Sequence, residues 1–456
     1  MHQNLLGIES ALDYQKKATP NFANNWCISA SGEAIEYQQY QQDVIRLSAQ
    51  LPDNARYAFN LCHDRYTFLV ALHAIALKGQ TNLLPPNQAP GTQRALYEQF
   101  KESYIVRDDS LTPDLPIPTF HLNLPDRNGK LPVSNPEMEV DANHMAVMLF
   151  TSGTSGKPAA IHKRWGELQA GVELTAERFG MNDGEERHLV ATVPPQHMFG
   201  LELSIMLPLT CGVGFISSRP FFPEDIRQTL CSTPGRNILV TTPIHLKACL
   251  RSRLNWRDCG CETIISATAP LPLELAACAE ERFGAQVREI YGSTETGAIA
   301  SRRTVAGDAW RFYPGISVQP QVAGYFVSGG HLTTPYRIND NLQIQREGRF
   351  KLLGRQSDMI KLAGKRASLN ELNEKLNRID GVTDGVFIDT AEPGEETRRL
   401  AALVVAPDLT RKALLDALLE WIDPVFLPRP LVFVDSLPRN ETGKLPQQAV
   451  RALLNP

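Results

Sequence analysis

The stretch Leu149-Phe150-Thr151-Ser152-Gly153-Thr154-Ser155-Gly156-Lys157-Pro158 runs from an apolar strand end into a loop of hydroxyls and glycines closed by a lysine. Glycines let backbone N–H groups converge on an anion, hydroxyls add donors and an ammonium neutralises charge, so the chemistry suggested is phosphate cradling. It is not a Walker A loop, which needs GxxxxGK followed by Ser or Thr. Here Gly153 and Gly156 stand too close together, and Pro158 replaces the magnesium-binding hydroxyl. Taken alone, such a loop can also be a plain turn. A second loop, Tyr291-Gly292-Ser293-Thr294-Glu295-Thr296, places an aromatic ring, a glycine turn, hydroxyls and a carboxylate together after the strand-like VREI. An aromatic face can stack on a base, and a carboxylate can hold a magnesium ion that bridges phosphates. Near the C-terminus, Lys444 follows Gly443 in a short polar turn, where an extended lysine can reach across a domain junction.

TSGTSGKP at 151–158, YGSTETG at 291–297, GRQSDMIKLAGKR at 354–366 and PRNETGK at 438–444 occur in an order and at a spacing that resemble the adenylate-forming (AMP-binding) superfamily of acyl-CoA synthetases, aryl-acid ligases, luciferases and nonribosomal adenylation domains. The resemblance implies an α/β fold. A large N-terminal AMP-binding domain, 1–355, would hold mostly parallel sheets layered with helices. A small mobile α+β lid domain, 356–456, would follow, with the active site at the junction.

It also implies roles, residue by residue. Thr151, Ser152, Gly153, Thr154, Ser155, Gly156 and Lys157 would hold the ATP phosphates. Tyr291 would pack on adenine, with Gly292 and Ser293 in the same loop, Thr294 would contact phosphate, and Glu295 would be the Mg2+ site. Ala269 and Pro270, in ATAPL, would run along the adenine. Asp340 lies fourteen positions before Gly354, the interval at which relatives place a ribose-binding aspartate. With Arg355 it is assigned to the ribose, since a carboxylate accepts two hydroxyl protons and a guanidinium donates beside it. Lys444 would be the catalytic lysine, stabilising negative charge in the adenylation transition state. His197, in PQHMFG, is a candidate gate or carboxylate contact. Gly364 would line the pantetheine tunnel. Three departures stand out. Ser357 occupies the place where the family hinge carries Asp or Lys, Ile338-Asn339 replaces the usual Thr-Gly before Asp340, and SLNE lacks a proline before its glutamate.

The 456 residues are 43% hydrophobic and 21% charged, enough for a sizeable core and unlike a disordered chain. A net charge of -4 provides no basic field for nucleic acid or anionic lipid, so a small-molecule task is favoured. No apolar run approaches the ~18 residues of a spanning helix, the best, Phe68 to Leu77, being interrupted by His73. The N-terminus lacks a basic segment followed by an apolar one, so no secretory signal or stable membrane insertion is expected, and the cytoplasm is the expected location. The eight cysteines show no zinc-type pairing and read as buried thiols.

The elements that must position these loops follow from pattern. From Met145, short apolar runs (MAVMLF, HLVATV, GVGFIS, NILVTT, ETIISA, QVREIY) alternate with helical ones such as Trp165 to Phe179, which implies a largely parallel sheet. ELAACAEERF reads as a helix stopped by Gly284. The Pro-rich stretch Leu111 to Pro136 reads as an irregular surface connection. After residue 366, Ser368 can cap a helix whose Leu369, Leu372, Leu376 and Ile379 share a face. Strand-like GVFID and LAALVVAP, a helix from Thr410 to Ile422, and LVFVD complete a unit of about ninety residues.

The expected reaction is ATP-dependent, AMP-forming activation of a small-molecule carboxylic acid, aryl or medium acyl, to an acyl-adenylate. Transfer to a pantetheine thiol of CoA or of an acyl or peptidyl carrier protein would follow. Phe199, Phe215, Phe221 and Phe222 lean toward an aryl or medium group. Lys361, Lys365, Arg366 and Arg337 suit either acceptor. The alternative is a nucleotide-binding or regulatory member of the same fold that has lost turnover.

Overall fold

The computed structural model describes residues 26–87, 90–109, 117–122, 138–151, 159–321, 324–355, 359–362, 365–390, 400–439 and 445–454. Two sheets with parallel centres dominate them. The first has six strands in the order Thr119–His121, Ser103–Arg107, Tyr57–Asn60, Thr81–Leu84, Met145–Thr151 and Ala159–Arg164. All its pairs are parallel except the last. The second has a parallel centre running through Cys27–Ile28, Gly214–Ile216, Arg187–Ala191, Arg236–Thr241, Cys261–Ser266 and Gln286–Ser293. The expected apolar runs thus form the centre of both sheets. Leu189, Val190, Ile238, Leu239, Ile264 and Ile265 lie buried, as befits strands covered on both faces.

The helix Arg65–Leu77 is buried on almost every side, which explains why its sequence shows no polar face. His73 is accommodated by partners: its Nδ1 meets the Tyr40 hydroxyl at 2.6 Å and its Nε2 meets the Met138 carbonyl at 3.0 Å. Among the described residues, no helix is long and apolar enough to cross a membrane. The helix Trp165–Phe179 has the expected bounds. The Glu167 carboxylate accepts from the Arg164 N–H at its start, and Gly180 takes a left-handed turn at its end. Leu273–Phe283 stops at Gly284, φ +68°.

Beyond Ser293 the chain changes character in a way the alternating pattern did not convey. Gly297–Arg302, Trp310–Phe312, Arg349–Arg355 and Asp340–Ile344 extend the second sheet in antiparallel fashion. Ile316–Gln321, Gly324–Gly329 and Leu332–Ile338 form a separate antiparallel sheet. Direct turns replace helical crossovers here, and Gly315, Gly329 and Gly330 supply their positive φ angles.

From Met359 onward the residues build their own sheets and core. Leu372 and Leu376 of the helix Leu369–Asn377 pack with Phe387, Ala402, Val404, Leu414 and Leu418. The second expected helix is Arg411–Leu419, capped by the Thr410 hydroxyl and followed by a tighter turn rather than running on to Ile422. The Lys247 ammonium donates to the Thr383 carbonyl at 2.7 Å, linking this unit to the larger one. Of the proline-rich stretch, Thr119–His121 is a strand, while 110–116 and 123–137 lie outside the described residues. The cysteines depart from expectation at one pair, since Cys231 and Cys259 are joined in a disulfide. The other six are free.

Candidate active site

The strands Met145–Thr151 and Ala159–Arg164 pair with Thr151 opposite Ala159, so the hydroxyl- and glycine-rich loop begins and ends at one point on a sheet edge. Ser152, Gly153, Thr154, Ser155, Gly156 and Lys157 lie outside the described residues, as do Ser357, Gly364, Lys444 and the side chains of Thr151, Arg355, Lys361 and Arg366. Leu149 and Phe150, immediately before the loop, line a cavity of about 150 Å³. His197, Phe199, Glu202, Thr268, Ser293 and Thr294 line it too, drawing on three further segments of the chain.

Each wall has a local reason. Gln196 anchors the His197 segment by donating to the Cys62 carbonyl at 2.7 Å. A Cβ on Gly200 would stand 2.0 Å from the Pro194 carbonyl oxygen, so only glycine lets the helix start so close to the preceding turn. The helix then widens into a π-turn over Glu202–Met206, a geometry often found at functional sites. On the opposite wall Thr268 holds φ +79°, an uncommon backbone state for a β-branched residue. Thr268 and Ala267 face the cavity, whereas Ala269 and Pro270, the two residues expected along the adenine, follow them outside its lining.

The Tyr291 loop is the best-defined part. Thr296 Oγ1 accepts from the Ser293 N–H at 3.0 Å, folding the segment back on itself. A Cβ on Gly292 would meet the Gly297 carbonyl oxygen at 2.0 Å. Tyr291 packs at 5.7 Å from the rings of both Trp310 and Phe350, and its hydroxyl donates to Asp340 Oδ2 at 2.6 Å. Asp340 in turn faces Arg355 across two paired strands. The structure therefore brings Tyr291, Asp340 and the backbone of Arg355 into one cluster, and Thr294 and His197 into one cavity wall. Glu295 is half-buried, and its carboxylate takes no hydrogen bond from a described residue, leaving it available to a cation. A single carboxylate of this kind fits magnesium, which binds through one or two carboxylates together with substrate phosphates. Among the described residues no cluster of three metal-ligating side chains occurs.

Sequence reasoning missed three buried groups beneath this loop. Lys163, 2% exposed, donates to the Glu295 carbonyl and lies 5.5 Å from the Tyr336 ring centre. His331 Nε2 lies 2.7 Å from the Thr296 carbonyl. Both Glu202 oxygens lie 3.2 Å from the Ala298 nitrogen. Burial lowers the Lys163 ammonium from its ordinary value and lowers His331 to about 4. It pushes Glu202 up to about 7 against the opposing pull of the Ala298 N–H and the Lys163 charge. The available signal was a single acid in the apolar run MFGLELSIM and a lysine in the strand that follows the hydroxyl- and glycine-rich loop.

The aromatic expectation needs correction: of its four residues only Phe199 reaches the cavity. Phe215 is core, packed on Trp26, while Phe221, packed on His245, and its neighbour Phe222 lie exposed. Of the basic residues suggested for the acceptor, Lys365 pairs with Asp423 and Arg337 is exposed on a strand.

Residues 17–323 match the family model described as AMP-binding enzyme, and the chain belongs to that family, the adenylate-forming enzymes. It is 24% identical over 347 residues to the peroxisomal OPC-8:0-CoA ligase 1 of Arabidopsis thaliana, covering 67% of this chain and 63% of that protein. It is 23% identical over 385 residues to the D-alanine–D-alanyl carrier protein ligase of Lacticaseibacillus paracasei, covering 71% and 74%. The fold is that of o-succinylbenzoate CoA synthetase from Bacillus subtilis, solved with its acyl-adenylate intermediate, with a TM-score of 0.78 and 19% identity over 94% of this chain and 95% of that one.

Proposed function

We propose that this chain is an AMP-forming acid–thiol ligase working in two half-reactions. A carboxylate oxygen attacks the α-phosphorus of ATP, forming the acyl–phosphate bond while the bond to pyrophosphate breaks. A pantetheine thiolate then attacks the acyl carbonyl, forming the thioester and releasing AMP. The observation that carries this reading is the Tyr291–Asp340 cluster standing beside a cavity walled by His197 and Thr294, in a member of the AMP-binding family. Such chemistry rests on positioning and on charge stabilisation.

The roles are those of the family motifs that these residues match. Tyr291 stacks on the adenine, while Asp340 and Arg355 take the ribose. Thr151 to Lys157 and Thr294 hold the phosphates, and Lys444 stabilises the transition-state charge. Glu295 would hold magnesium, which would supply charge neutralisation at the phosphates when bound. His197 orients the acid. The unit 356–456 acts as a lid that turns between the half-reactions, withdrawing Lys444 and presenting Gly364 to the pantetheine arm. A cavity of about 150 Å³, of a size that holds a benzene ring, suits an aryl or medium acyl group. The acceptor is the thiol of CoA or of a carrier protein, and the place of action is the cytoplasm.

The test is acid-dependent pyrophosphate release from MgATP, with chromatography of the nucleotide product, with and without CoA. AMP and pyrophosphate appearing with one class of acid are the expected result. ATP binding without pyrophosphate from any acid or acceptor would leave a nucleotide-binding role instead.

A further inference from the structure

We infer that Glu202 selects the acid: its carboxyl, set in the wall of the reaction cavity, takes a hydrogen bond from an uncharged hydroxyl on the substrate's tail. This rests on the ligase reading and names the substrate class within it.

Glu202 is 4% exposed yet lines the cavity with His197 and Thr294. The remaining wall near it is largely apolar, formed by Met198, Phe199 and Ile290. A carboxyl in such a place is costly unless it is hydrogen-bonded. Among the described residues its hydrogen-bond donor is the Ala298 N–H, shared between both oxygens at 3.2 Å. A carboxylate offers about four lone-pair sites, so acceptor capacity remains on the cavity side.

The chain makes room for this group. Glu202 opens the π-turn that widens the helix. Opposite it, Gly297 sits at φ +66°, where a Cβ would stand 2.3 Å from Glu202 Oε1, so only glycine admits the carboxyl. An apolar residue would fill the same wall without these provisions. The position therefore serves a ligand that brings its own donor.

The charge nearby narrows that donor. The Lys163 ammonium acts on the Glu202 carboxyl and lowers its pKa, so a positive charge already serves this acid. An ammonium on the substrate would add a second buried cation, whereas a hydroxyl supplies the bond without charge. The fitting substrate is a medium-sized carboxylic acid bearing a hydroxyl on its tail.

The test uses the full chain at about pH 8.5, above the raised Glu202 value of about 7 so that its carboxylate can only accept, with MgATP and six- to ten-carbon acids, aliphatic and aromatic. Each is supplied in unsubstituted, hydroxyl, methyl ether and amino forms, and acid-dependent pyrophosphate release is followed. In the wild type, kcat/KM for hydroxyl acids should exceed that for their unsubstituted and methyl ether partners by about a hundredfold, since a site built to bond a hydroxyl leaves its own polar group unpaired when the hydroxyl is missing. E202L should bring the forms within about threefold of one another, through KM for the acid and not through KM for ATP. E202Q, nearly isosteric, should accept methyl ethers, because its amide can donate, and it decides the matter if E202L fails to fold. Equal use of all four forms by the wild type, preference for the amino form, or selectivity unchanged in the variant that folds would each overturn the inference while leaving the ligase intact. No pyrophosphate with any acid would instead remove the ligase reading, and this inference with it.

Discussion

The Tyr291 hydroxyl donates a 2.6 Å hydrogen bond to Asp340 Oδ2, joining residues forty-nine positions apart at the junction of two antiparallel strands and the loop that holds Thr294 and Glu295. This bond fixes the ring that is proposed to stack on adenine and aligns the carboxylate proposed to accept from the ribose. One variant therefore disturbs both functions.

D340A should raise KM for ATP by about ten- to a hundredfold, the range of hydrogen bonds to a charged group, with a smaller effect on kcat. Y291F keeps the ring and loses one hydroxyl, so about a fivefold effect is expected. The double variant should cost less than the product of the two, because the residues share one bond. Initial-rate kinetics with varied ATP measure this, and an unchanged KM in D340A would remove Asp340 from the nucleotide site.

Lys163 acts through the loop rather than on substrate. Its ammonium holds the Glu295 carbonyl from below, so its loss should free the segment proposed to carry the magnesium ligand. K163M, of similar length, should raise both the KM for MgATP and the Mg2+ concentration for half-maximal rate by about tenfold, as expected for a lost charged hydrogen bond. K163R should recover part of this by restoring a cationic donor. A purely structural lysine would lower the thermal midpoint and leave the magnesium titration where it was.

How far the sequence conveys these features depends on whether the signal is local. The Trp165–Phe179 helix is legible because Glu167 and Gly180 mark its ends, and Leu273–Phe283 because Gly284 stops it. Tyr291, Thr294 and Asp340 are legible through short motifs, and the structure joins Tyr291 to Asp340 and sets Thr294 in the cavity wall. Glu202, Lys163 and His331 are not, because each is an ordinary residue whose burial arises only when a helix, a strand and the antiparallel extension meet. That extension was itself missed, although Gly315, Gly329 and Gly330 stand in the sequence as turn formers. Phe215 misled for the converse reason: its distance along the chain from Phe199 says nothing about which sheet face it enters.

Gly297 allows a controlled comparison of space and strain. G297A forces a Cβ to 2.3 Å from Glu202 Oε1 at a φ of +66°, whereas G180A meets the same strain, φ +67°, with nothing within 4 Å. G180A should cost about 1 kcal/mol of stability and keep its activity. G297A should cost more than that and reduce pyrophosphate release by at least about a hundredfold, through displacement of Glu202 and the Thr294 loop. Chemical denaturation and initial rates on both variants provide the readout, and equal behaviour would show that the carboxyl at this wall can move without consequence.

Burial of titrating groups sets how stability should vary with pH. His73, His245 and His331 are each lowered to about 4 from an ordinary 6.5, chiefly because burial disfavours the imidazolium. Glu202 is raised to about 7 from 4.5. Between pH 4.5 and 6.5 the unfolded chain therefore binds about three more protons at these histidines and about one fewer at Glu202, while Glu289 and His63, both raised in the fold, oppose in the same sense as Glu202. Stability rises with pH wherever the unfolded state holds more protons, so it should fall on acidification through this window with a slope of at most about two protons, or about 2.7 kcal/mol per pH unit. The charged and titrating groups around Glu202 are Lys163, Glu167, Glu295, Tyr313 and His331, and Arg219 lies near His245. E202Q removes an opposing carboxyl and should steepen the slope by about one proton, whereas H245N should reduce it by about one. Urea unfolding in half-unit steps from pH 4.5 to 7 measures both, and a wild-type slope near zero would show that these histidines take up protons inside the fold.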